Sequence, residues 1–131
     1  MSRLDRLGAV SAASFPWSRW EKLIEDRGVE IDRHRGSRHP DHESIIYPID
    51  YGYVPDTMGS DGQPVDVFVG TADNGLVALI VTVDHRKKDR EFKLIYNCSP
   101  EEIYLVNGFI NFDRRLMEGE LVMRRPMQEL W

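Results

Sequence analysis

An eight-residue apolar run, LVALIVTV at Leu76–Val83, limits the folds open to this chain more than any other stretch. Its residues follow one another without polar alternation, which predicts a strand buried on both faces. The run is far shorter than the roughly 20 residues that span a bilayer. We therefore expect it to be a core strand of a soluble globular protein that does not contact membranes.

Shorter segments on either side carry the signs of further strands. Apolar and polar residues alternate in VDVFV, and strand-like stretches recur before and after it. These patterns predict strands at 29–32, 44–48, 65–69 and 91–96 and a final one at 120–124. Turn residues separate them, and the sequence contains no internal repeat or domain linker. We expect one α+β domain over residues 1–131.

Two helices are predicted from their first turns. Ser18 and Glu21 have the spacing of a capping box, which predicts a short helix at 18–27. Ser99 is followed by a proline and then by a glutamate at the reciprocal position. This second signal predicts a longer C-terminal helix at about 100–117.

Composition narrows the class of partner and the compartment. The single cysteine, Cys98, excludes an intrachain disulfide and favours a reducing cytoplasm. A net charge of −5 disfavours nucleic acid as the main partner. A reduced domain of this size leaves apolar surface that a second copy can cover, so we expect a homo-oligomer.

The stretch DGQPVD places Asp61 and Asp66 on either side of a turn. Two carboxylates about 5 Å apart repel by about 3 kcal/mol at an effective dielectric constant of 20. A divalent cation reverses the sign of this interaction, and Mg²⁺ is the usual choice for oxygen ligands that also hold phosphate. On this stretch alone, a metal site and a simple turn cap remain alternatives.

Longer motifs resemble one protein family. YPIDYGYVPDT followed by DGQPVDVFVG resembles the signature of the family I soluble inorganic pyrophosphatases, and VEIDRHRGSRH and EFKLIY resemble flanking segments of that family. The similarity covers about residues 29–96 and is nearest to the short pyrophosphatase-like proteins. It implies a small distorted OB-like β-barrel of about five to seven strands. It also implies Mg²⁺-dependent hydrolysis of pyrophosphate to two phosphates.

The resemblance further implies roles for individual residues. Carboxylates would bind metal at Asp61, Asp66, Asp84, Glu91 and Glu30. Donor side chains would bind phosphate at Tyr47, Tyr51, Lys93, Arg35, Arg38 and Lys88. The residues implied in catalysis itself are Asp66, Tyr51, Lys93 and Gln63.

Gln63 departs from the family pattern, which has an aspartate at this position. An amide carries no charge and cannot take a proton as a carboxylate does. The family's phosphate-binding arginine hairpin is also missing before Tyr47, and Arg38, Lys87 or Lys88 would have to replace the lost cations. We therefore expect slower turnover, or a greater metal requirement, than in family members with the aspartate.

Other functions stay open at this point. The same site would suit another small phosphate ester or a nucleotide, and loss of the middle aspartate would suit a phosphate-binding regulatory module without catalysis. The arginine-rich loop would suit single-stranded nucleic acid on an OB-like barrel, but the acidic net charge disfavours it. Zinc at His34, His39 and His42 is disfavoured, because they lack a cysteine partner and their spacing fits no closed tetrahedral site.

Overall fold

The computed structural model describes residues 12–59 and 62–131. Its helices are α1 (Trp17–Arg27) and α2 (Pro100–Ile110). Its strands, in chain order, are β1 (Glu30–Arg33), β2 (Arg38–His39), β3 (His42–Ile46), β4 (Asp50–Tyr53), β5 (Asp66–Val69), β6 (Leu76–Asp84), β7 (Asp89–Tyr96) and β8 (Met117–Met123). A 3₁₀ turn at Met127–Leu130 follows β8. Within these described ranges, no helix has the length and apolar character needed to cross a membrane.

Six strands form one mixed sheet in the order β1-β4-β5-β7-β6-β8, and β2 and β3 form a separate hairpin. β5 and β7 run parallel, whereas the other neighbouring pairs are antiparallel. The predicted α+β class is confirmed, and the main sheet has six strands, within the predicted range of five to seven, while the hairpin adds two more. The OB-like sheet stays open instead of closing into a barrel, because β1 and β8 form its two edges.

β6 confirms the prediction made from the apolar run. Every residue of β6 except Val83 is buried. On one face of the sheet, Ile80 belongs to a core that includes Ile103 of α2. On the other face, Leu79 belongs to a core that includes Ile24 of α1. The strand is buried on both sides because one helix covers each face of the sheet.

The prediction for α1 is right in position and wrong in its cap. The helix begins at Trp17, one residue earlier than predicted, and no side chain caps it. Ser18 therefore lies within the first turn. Glu21 has other partners, since its Oε2 accepts hydrogen bonds from the backbone N–H of Leu76 and from the guanidinium of Arg124, both at 2.9 Å. This glutamate ties α1 to β6 and to the segment after β8.

The prediction for α2 is right in its cap and wrong in its length. The hydroxyl of Ser99 accepts from the backbone N–H of Glu102 at 3.2 Å, and the glutamate side chain accepts in return at 3.0 Å. The helix ends at Ile110 and has 11 residues, the same as α1. Asn111 ends it, because its side chain forms hydrogen bonds to the backbone of Gly119 on β8 at 2.9 and 3.2 Å.

β4 was not predicted, because its glycine is typical of a turn. Gly52 instead permits a close approach of two strands. A Cβ atom at this position would collide with the backbone carbonyl oxygen of Glu30 on the neighbouring β1. The glycine is therefore what allows β1 to pair with the strand that carries Tyr51.

Gly52→Ala is expected to lower the free energy of unfolding by about 3 kcal/mol, because one of the two strands has to move away. Gly108→Ala in α2 is a matched control, since a Cβ there meets nothing within 4 Å and alanine favours a helix. Urea denaturation of both variants and of the wild type provides the comparison. Equal midpoints for the two variants would contradict the close approach of β1 and β4.

Candidate active site

The ammonium group of Lys93 joins side chains from three strands. Its Nζ donates hydrogen bonds to Asp66 Oδ2 at 2.7 Å, to Glu91 Oε1 at 2.8 Å and to the hydroxyl of Tyr51 at 2.9 Å. We call these four residues the Lys93 centre. All four were candidates on the sequence, and the folded chain brings them into direct contact.

Strand register explains why these side chains meet. Tyr51 on β4 lies opposite Phe68 on β5, which aligns with Ile95 across the parallel pair of β5 and β7. Residues two apart on a strand share a face, so Asp66 and Lys93 fall on the same side as their neighbours Phe68 and Ile95. That side carries the core that α2 covers. The Lys93 centre therefore lies at the border of an apolar core.

Lys93 is buried and remains positively charged. Only 6% of its side chain is exposed, against 25% for Asp66 and 20% for Glu91. Burial on its own lowers the pKa of a lysine, but the hydroxyl oxygen of Tyr51 and the carboxylates of Asp66 and Glu91 outweigh it and raise the pKa of Lys93 well above its usual value. A fixed cation thus occupies the space between the two carboxylates.

Tyr51 keeps its proton at neutral pH. Burial raises the pKa of its phenol above the usual value, although the nearby charge of Lys93 acts in the opposite direction. A protonated phenol is both a donor and an acceptor of hydrogen bonds. Its ring packs 4.8 Å from the ring of Phe68 and 5.3 Å from the ring of Tyr47, measured between centroids. The buried Tyr47, a predicted substrate-binding residue, therefore adjoins the Lys93 centre.

Asp84, a predicted metal ligand, lies near the Lys93 centre without contacting it. Its Oδ1 accepts hydrogen bonds from the backbone N–H groups of Arg86 at 3.0 Å and Lys87 at 3.2 Å, so it caps the turn between β6 and β7. It pairs with Asp89 across the two strands, which makes it a diagonal neighbour of Glu91. Diagonal neighbours on one sheet face are about 7–8 Å apart.

The remaining predicted metal and catalytic residues are spread more widely. Asp61 lies outside the described residues. Gln63 is exposed. Glu30 is exposed on β1, opposite Tyr53, which in turn lies opposite Asp66 on β5. Glu30 therefore shares a sheet face with Asp66 but stands two strands away from it.

Three predicted phosphate-binding cations do not reach the Lys93 centre. The side chain of Arg38 donates to the backbone oxygen of Glu43 at 2.8 Å. Arg35 is exposed, and it is held through its backbone N–H by Asp50. Lys88 lies in the turn between β6 and β7 with a φ of 59°. In the part of the chain that the structure describes, none of these side chains contacts the centre.

Sequence reasoning missed two further cations, one that contacts Tyr47 and one that lies beside Asp84. Arg33 donates to the hydroxyl of Tyr47 at 2.8 Å, and Arg86 lies 2.9 Å from the imidazole of His42. The register of β1 shifts between Ile31 and Arg33, which changes the face on which the arginine emerges. Alternation in the sequence gives no sign of such a bulge.

The described residues include no group of three or more histidine, cysteine, aspartate or glutamate side chains that could hold a metal ion. In the Lys93 centre, the ammonium group itself lies between the two carboxylates.

Known proteins match this chain in sequence and in fold. A family model described as inorganic pyrophosphatase matches residues 25–86. The inorganic pyrophosphatase of Rhodospirillum rubrum is 44% identical over 50 residues, which are 36% of this chain and 28% of that protein. The inorganic pyrophosphatase of Methanosarcina acetivorans is 33% identical over 92 residues, which are 63% of this chain and 51% of that protein. The chain is thus similar in sequence to inorganic pyrophosphatases over these stretches.

Two solved structures match the fold of this chain. The inorganic pyrophosphatase of Neisseria gonorrhoeae matches with a TM-score of 0.58 at 14% identity, over 80% of this chain and 90% of that chain. The inorganic phosphatase of Anaplasma phagocytophilum matches with a TM-score of 0.55 at 17% identity, over 78% and 86% of the two chains.

The chain spans only 28% and 51% of the length of the two curated pyrophosphatases named above. The stretch matched by the pyrophosphatase family model contains Tyr51, Asp66 and Asp84. Glu91 and Lys93 lie beyond that stretch, and β7 brings them to it.

Proposed function

We propose that this chain hydrolyses inorganic pyrophosphate to two phosphates with Mg²⁺ as its cofactor. The observation that carries this proposal is the Lys93 centre, where a buried ammonium, a phenol and two carboxylates converge on one sheet face. The family match over the stretch that contains Tyr51 and Asp66 supports it.

Lys93 and Tyr51 are suited to bind phosphoryl oxygens. The ammonium carries a permanent charge, and the phenol offers a proton that it does not lose at neutral pH. Both groups sit at the border of an apolar core, where a low dielectric strengthens their attraction for an anion. Asp66, at 2.7 Å from Nζ, fixes the direction in which the ammonium points. These residues would hold one phosphoryl group of the substrate in place.

The carboxylates have the chemistry that Mg²⁺ requires. Mg²⁺ prefers oxygen ligands and is commonly bound by one or two carboxylates together with substrate phosphates. Asp66 and Asp84 would hold it, with Asp61 from the segment outside the described residues, and Glu91 and Glu30 would contact it through water. The ion, when bound, supplies neutralisation of phosphate charge and activation of the attacking water. The side chains of Asp66 and Asp84 are 25% and 12% exposed, so solvent reaches both.

Gln63→Asp is expected to raise the rate of phosphate release from pyrophosphate by about 10²-fold, the lower end of what a positioned proton acceptor contributes. Gln63 is exposed, so the exchange should leave the stability unchanged. Initial rates of phosphate release at several Mg²⁺ concentrations, with Gln128→Asp on the exposed 3₁₀ turn as control, provide the measurement. An unchanged or lower rate would show that position 63 does not take part in the reaction.

The direct test of the proposed function is phosphate release from pyrophosphate by the full chain, with Mg²⁺ and with a chelator. Release that requires Mg²⁺ and saturates with pyrophosphate supports the proposal. Binding of pyrophosphate by calorimetry, without release of phosphate, would favour the regulatory module instead. A panel of phosphorylated small molecules would separate pyrophosphate from other phosphate esters as the substrate.

We also propose that the chain forms a homo-oligomer in the cytoplasm. Exposed apolar side chains on and just after α2 support the first part, namely Tyr104, Leu105 and Phe112, which are 61%, 52% and 82% exposed. The single, buried Cys98 supports a reducing compartment, and burial raises the pKa of its thiol to about 12. Sedimentation at the mass of a single chain would contradict the oligomer.

A further inference from the structure

A hydrogen bond between His85 and Glu118 connects the turn after β6 to β8, and neither side chain has a role in the proposed function. Nε2 of His85 lies 2.9 Å from Oε2 of Glu118, and the two side chains are 23% and 17% exposed. An ionised carboxylate can only accept, so Nε2 of His85 is the donor. The two residues are 33 positions apart in the sequence. We call them the His85–Glu118 pair.

His85 is fastened to β8 at two points. It directly follows Asp84, the last residue of β6, and its backbone N–H donates to the carbonyl oxygen of Leu116 at 2.9 Å. Its imidazole contacts Glu118, which lies opposite Val83 of β6. A backbone hydrogen bond and a side-chain hydrogen bond thus hold the end of β6 against the edge strand β8.

The pair and the carboxylate of Asp84 lie on opposite faces of the sheet. Side chains alternate along a strand, so Asp84 shares the face of Ile80, which belongs to the core that α2 covers. Glu118 shares the face of Val122, which packs on the core that α1 covers. The pair therefore holds the backbone next to Asp84 from the face opposite to the proposed active site.

The course of this turn sets the position of the Asp84 carboxylate. Its Oδ1 accepts hydrogen bonds from the backbone N–H groups of Arg86 at 3.0 Å and Lys87 at 3.2 Å, so the carboxylate moves with these residues. The same turn contains Lys88 with a φ of 59°, a left-handed conformation that is strained for a residue other than glycine. Contacts from outside the turn have to compensate for this strain. The pair supplies one such contact.

We infer that His85 and Glu118 are positioning residues, which hold the turn after β6 so that the carboxylate of Asp84 stays in place for a divalent cation. The role of Asp84 as a metal ligand rests on the proposed function. Both residues act through the backbone next to Asp84 and not through contact with the ion or the substrate. Removal of a side chain that holds a metal ligand in place typically weakens metal binding by about 10–100-fold.

Two variants of Glu118 and a matched control test the inference. Glu118→Ala removes the acceptor, whereas Glu118→Gln keeps an oxygen atom to which His85 can donate. Glu21→Ala is the control, because Glu21 forms an ion pair of the same length, 2.9 Å, with Arg124. The side chains of that ion pair are 25% and 20% exposed, and Glu21 fastens the opposite end of β6 through the backbone N–H of Leu76.

Four measurements are made on the full chain. Hydrogen exchange followed by NMR, without Mg²⁺, reports how firmly the amides of Arg86 and Lys87 are held. Calorimetric titration with Mg²⁺ alone gives the metal affinity. Initial rates of phosphate release from pyrophosphate give the half-saturating Mg²⁺ concentration and the maximal rate. Urea denaturation gives the loss of stability in each variant.

We expect Glu118→Ala to speed the exchange of both amides and to weaken Mg²⁺ binding by about tenfold each, the lower end of the range for a residue that supports a metal ligand. The half-saturating Mg²⁺ concentration should rise in parallel, while the maximal rate at saturating Mg²⁺ stays at the wild-type value. Glu118→Gln should behave as the wild type does. Glu21→Ala should lose a similar amount of stability but keep the wild-type exchange of both amides and the wild-type Mg²⁺ affinity.

Substitute variants keep the test decisive if a protein fails to fold. His85→Ala takes the place of Glu118→Ala, because it removes the donor of the same hydrogen bond. Glu118→Gln takes the place of Glu21→Ala as the reference, because it keeps that hydrogen bond.

Several results would overturn the inference. Equal losses of Mg²⁺ affinity in Glu118→Ala and Glu21→Ala would reduce the pair to a general contribution to stability. Unchanged exchange in Glu118→Ala would mean that the pair does not hold the turn. Faster exchange with unchanged Mg²⁺ affinity would mean that the turn moves without an effect on the ion.

Exchange and calorimetry need no turnover, so they separate this inference from the proposed function. If the wild type releases no phosphate but Glu118→Ala shows both expected changes, the positioning role stands and the hydrolysis is wrong. If the wild type hydrolyses pyrophosphate and Glu118→Ala shows neither change, the hydrolysis stands and the positioning role is wrong. A wild type that binds no Mg²⁺ would overturn both.

Discussion

Lys93→Met is expected to lower the free energy of unfolding by about 3–5 kcal/mol, the usual result of removing one partner from a buried ion pair. The methionine fills a similar volume but leaves Asp66 and Glu91 without the ammonium that lies 2.7 and 2.8 Å from them. Phosphate release from pyrophosphate should fall below detection, because the cation that we propose to hold a phosphoryl group is gone. Urea denaturation at neutral pH measures the first effect.

Lys22→Met provides the matched control for this substitution. Lys22 is 77% exposed and forms a surface pair with Asp26 at 3.6 Å, so its loss should change the stability by no more than about 0.5 kcal/mol. Similar losses in the two variants would contradict the central place of Lys93.

The difference in unfolding free energy between the wild type and Lys93→Met should depend on pH. The pKa of Lys93 is raised in the folded state, so its stabilising contribution is fully present below the ordinary value of 10.5. It is lost only as the pH rises through the higher folded-state value. The difference in unfolding free energy should therefore stay constant between about pH 7 and pH 10 and shrink above that range.

Asp66→Asn is expected to reduce Mg²⁺-dependent phosphate release by about 10³-fold, which corresponds to several kcal/mol of lost metal-assisted stabilisation. The amide keeps the shape of the side chain but removes its charge. The same change weakens the contact with Lys93, so thermal denaturation has to confirm that the variant is folded at the assay temperature. Calorimetric titration with Mg²⁺ and pyrophosphate then measures the loss of metal affinity directly.

Asp26→Asn is the control for Asp66→Asn. Asp26 is 59% exposed on α1, and among the described residues its side chain forms a surface pair with Lys22. Its replacement should leave phosphate release within about twofold of the wild type, since surface pairs contribute little. Full activity in Asp66→Asn would mean that this carboxylate neither binds the metal nor orients Lys93.

Local signals in the sequence predicted local structure well. The apolar run defined β6, and Ser99 and Glu102 formed the cap that their spacing predicts. Glu21 shows where such reasoning fails. A capping box was available at Ser18, but the glutamate instead accepts from the backbone N–H of Leu76, which is 55 positions away. The contact of Glu21 with Leu76 in the folded chain replaced the local cap with Ser18. A short stretch of sequence around Glu21 does not reveal such a distant contact.

The sequence predicted which residues form the Lys93 centre, but it did not predict how they contact one another. Glu91 and Lys93 share a strand face because they are two residues apart, which alternation alone gives. That Asp66 meets Lys93 depends on β5 lying parallel to β7, although β6 comes between them in the sequence. The positions of Arg33 and Arg86 could not be predicted from the sequence either. A register shift in β1 determines where Arg33 lies, and Arg86 contacts a residue 44 positions away in the chain.

The parallel pairing of β5 with β7 has a consequence for synthesis of the protein. A nascent chain that has emerged only as far as Arg86 already carries the whole stretch that matches the pyrophosphatase family model. Its Asp66 still lacks a cationic neighbour, and β5 still has one unpaired side. Pairing over so long a separation is slow compared with hairpin closure. The Lys93 centre should therefore form in a single late step, when the final third of the polypeptide arrives.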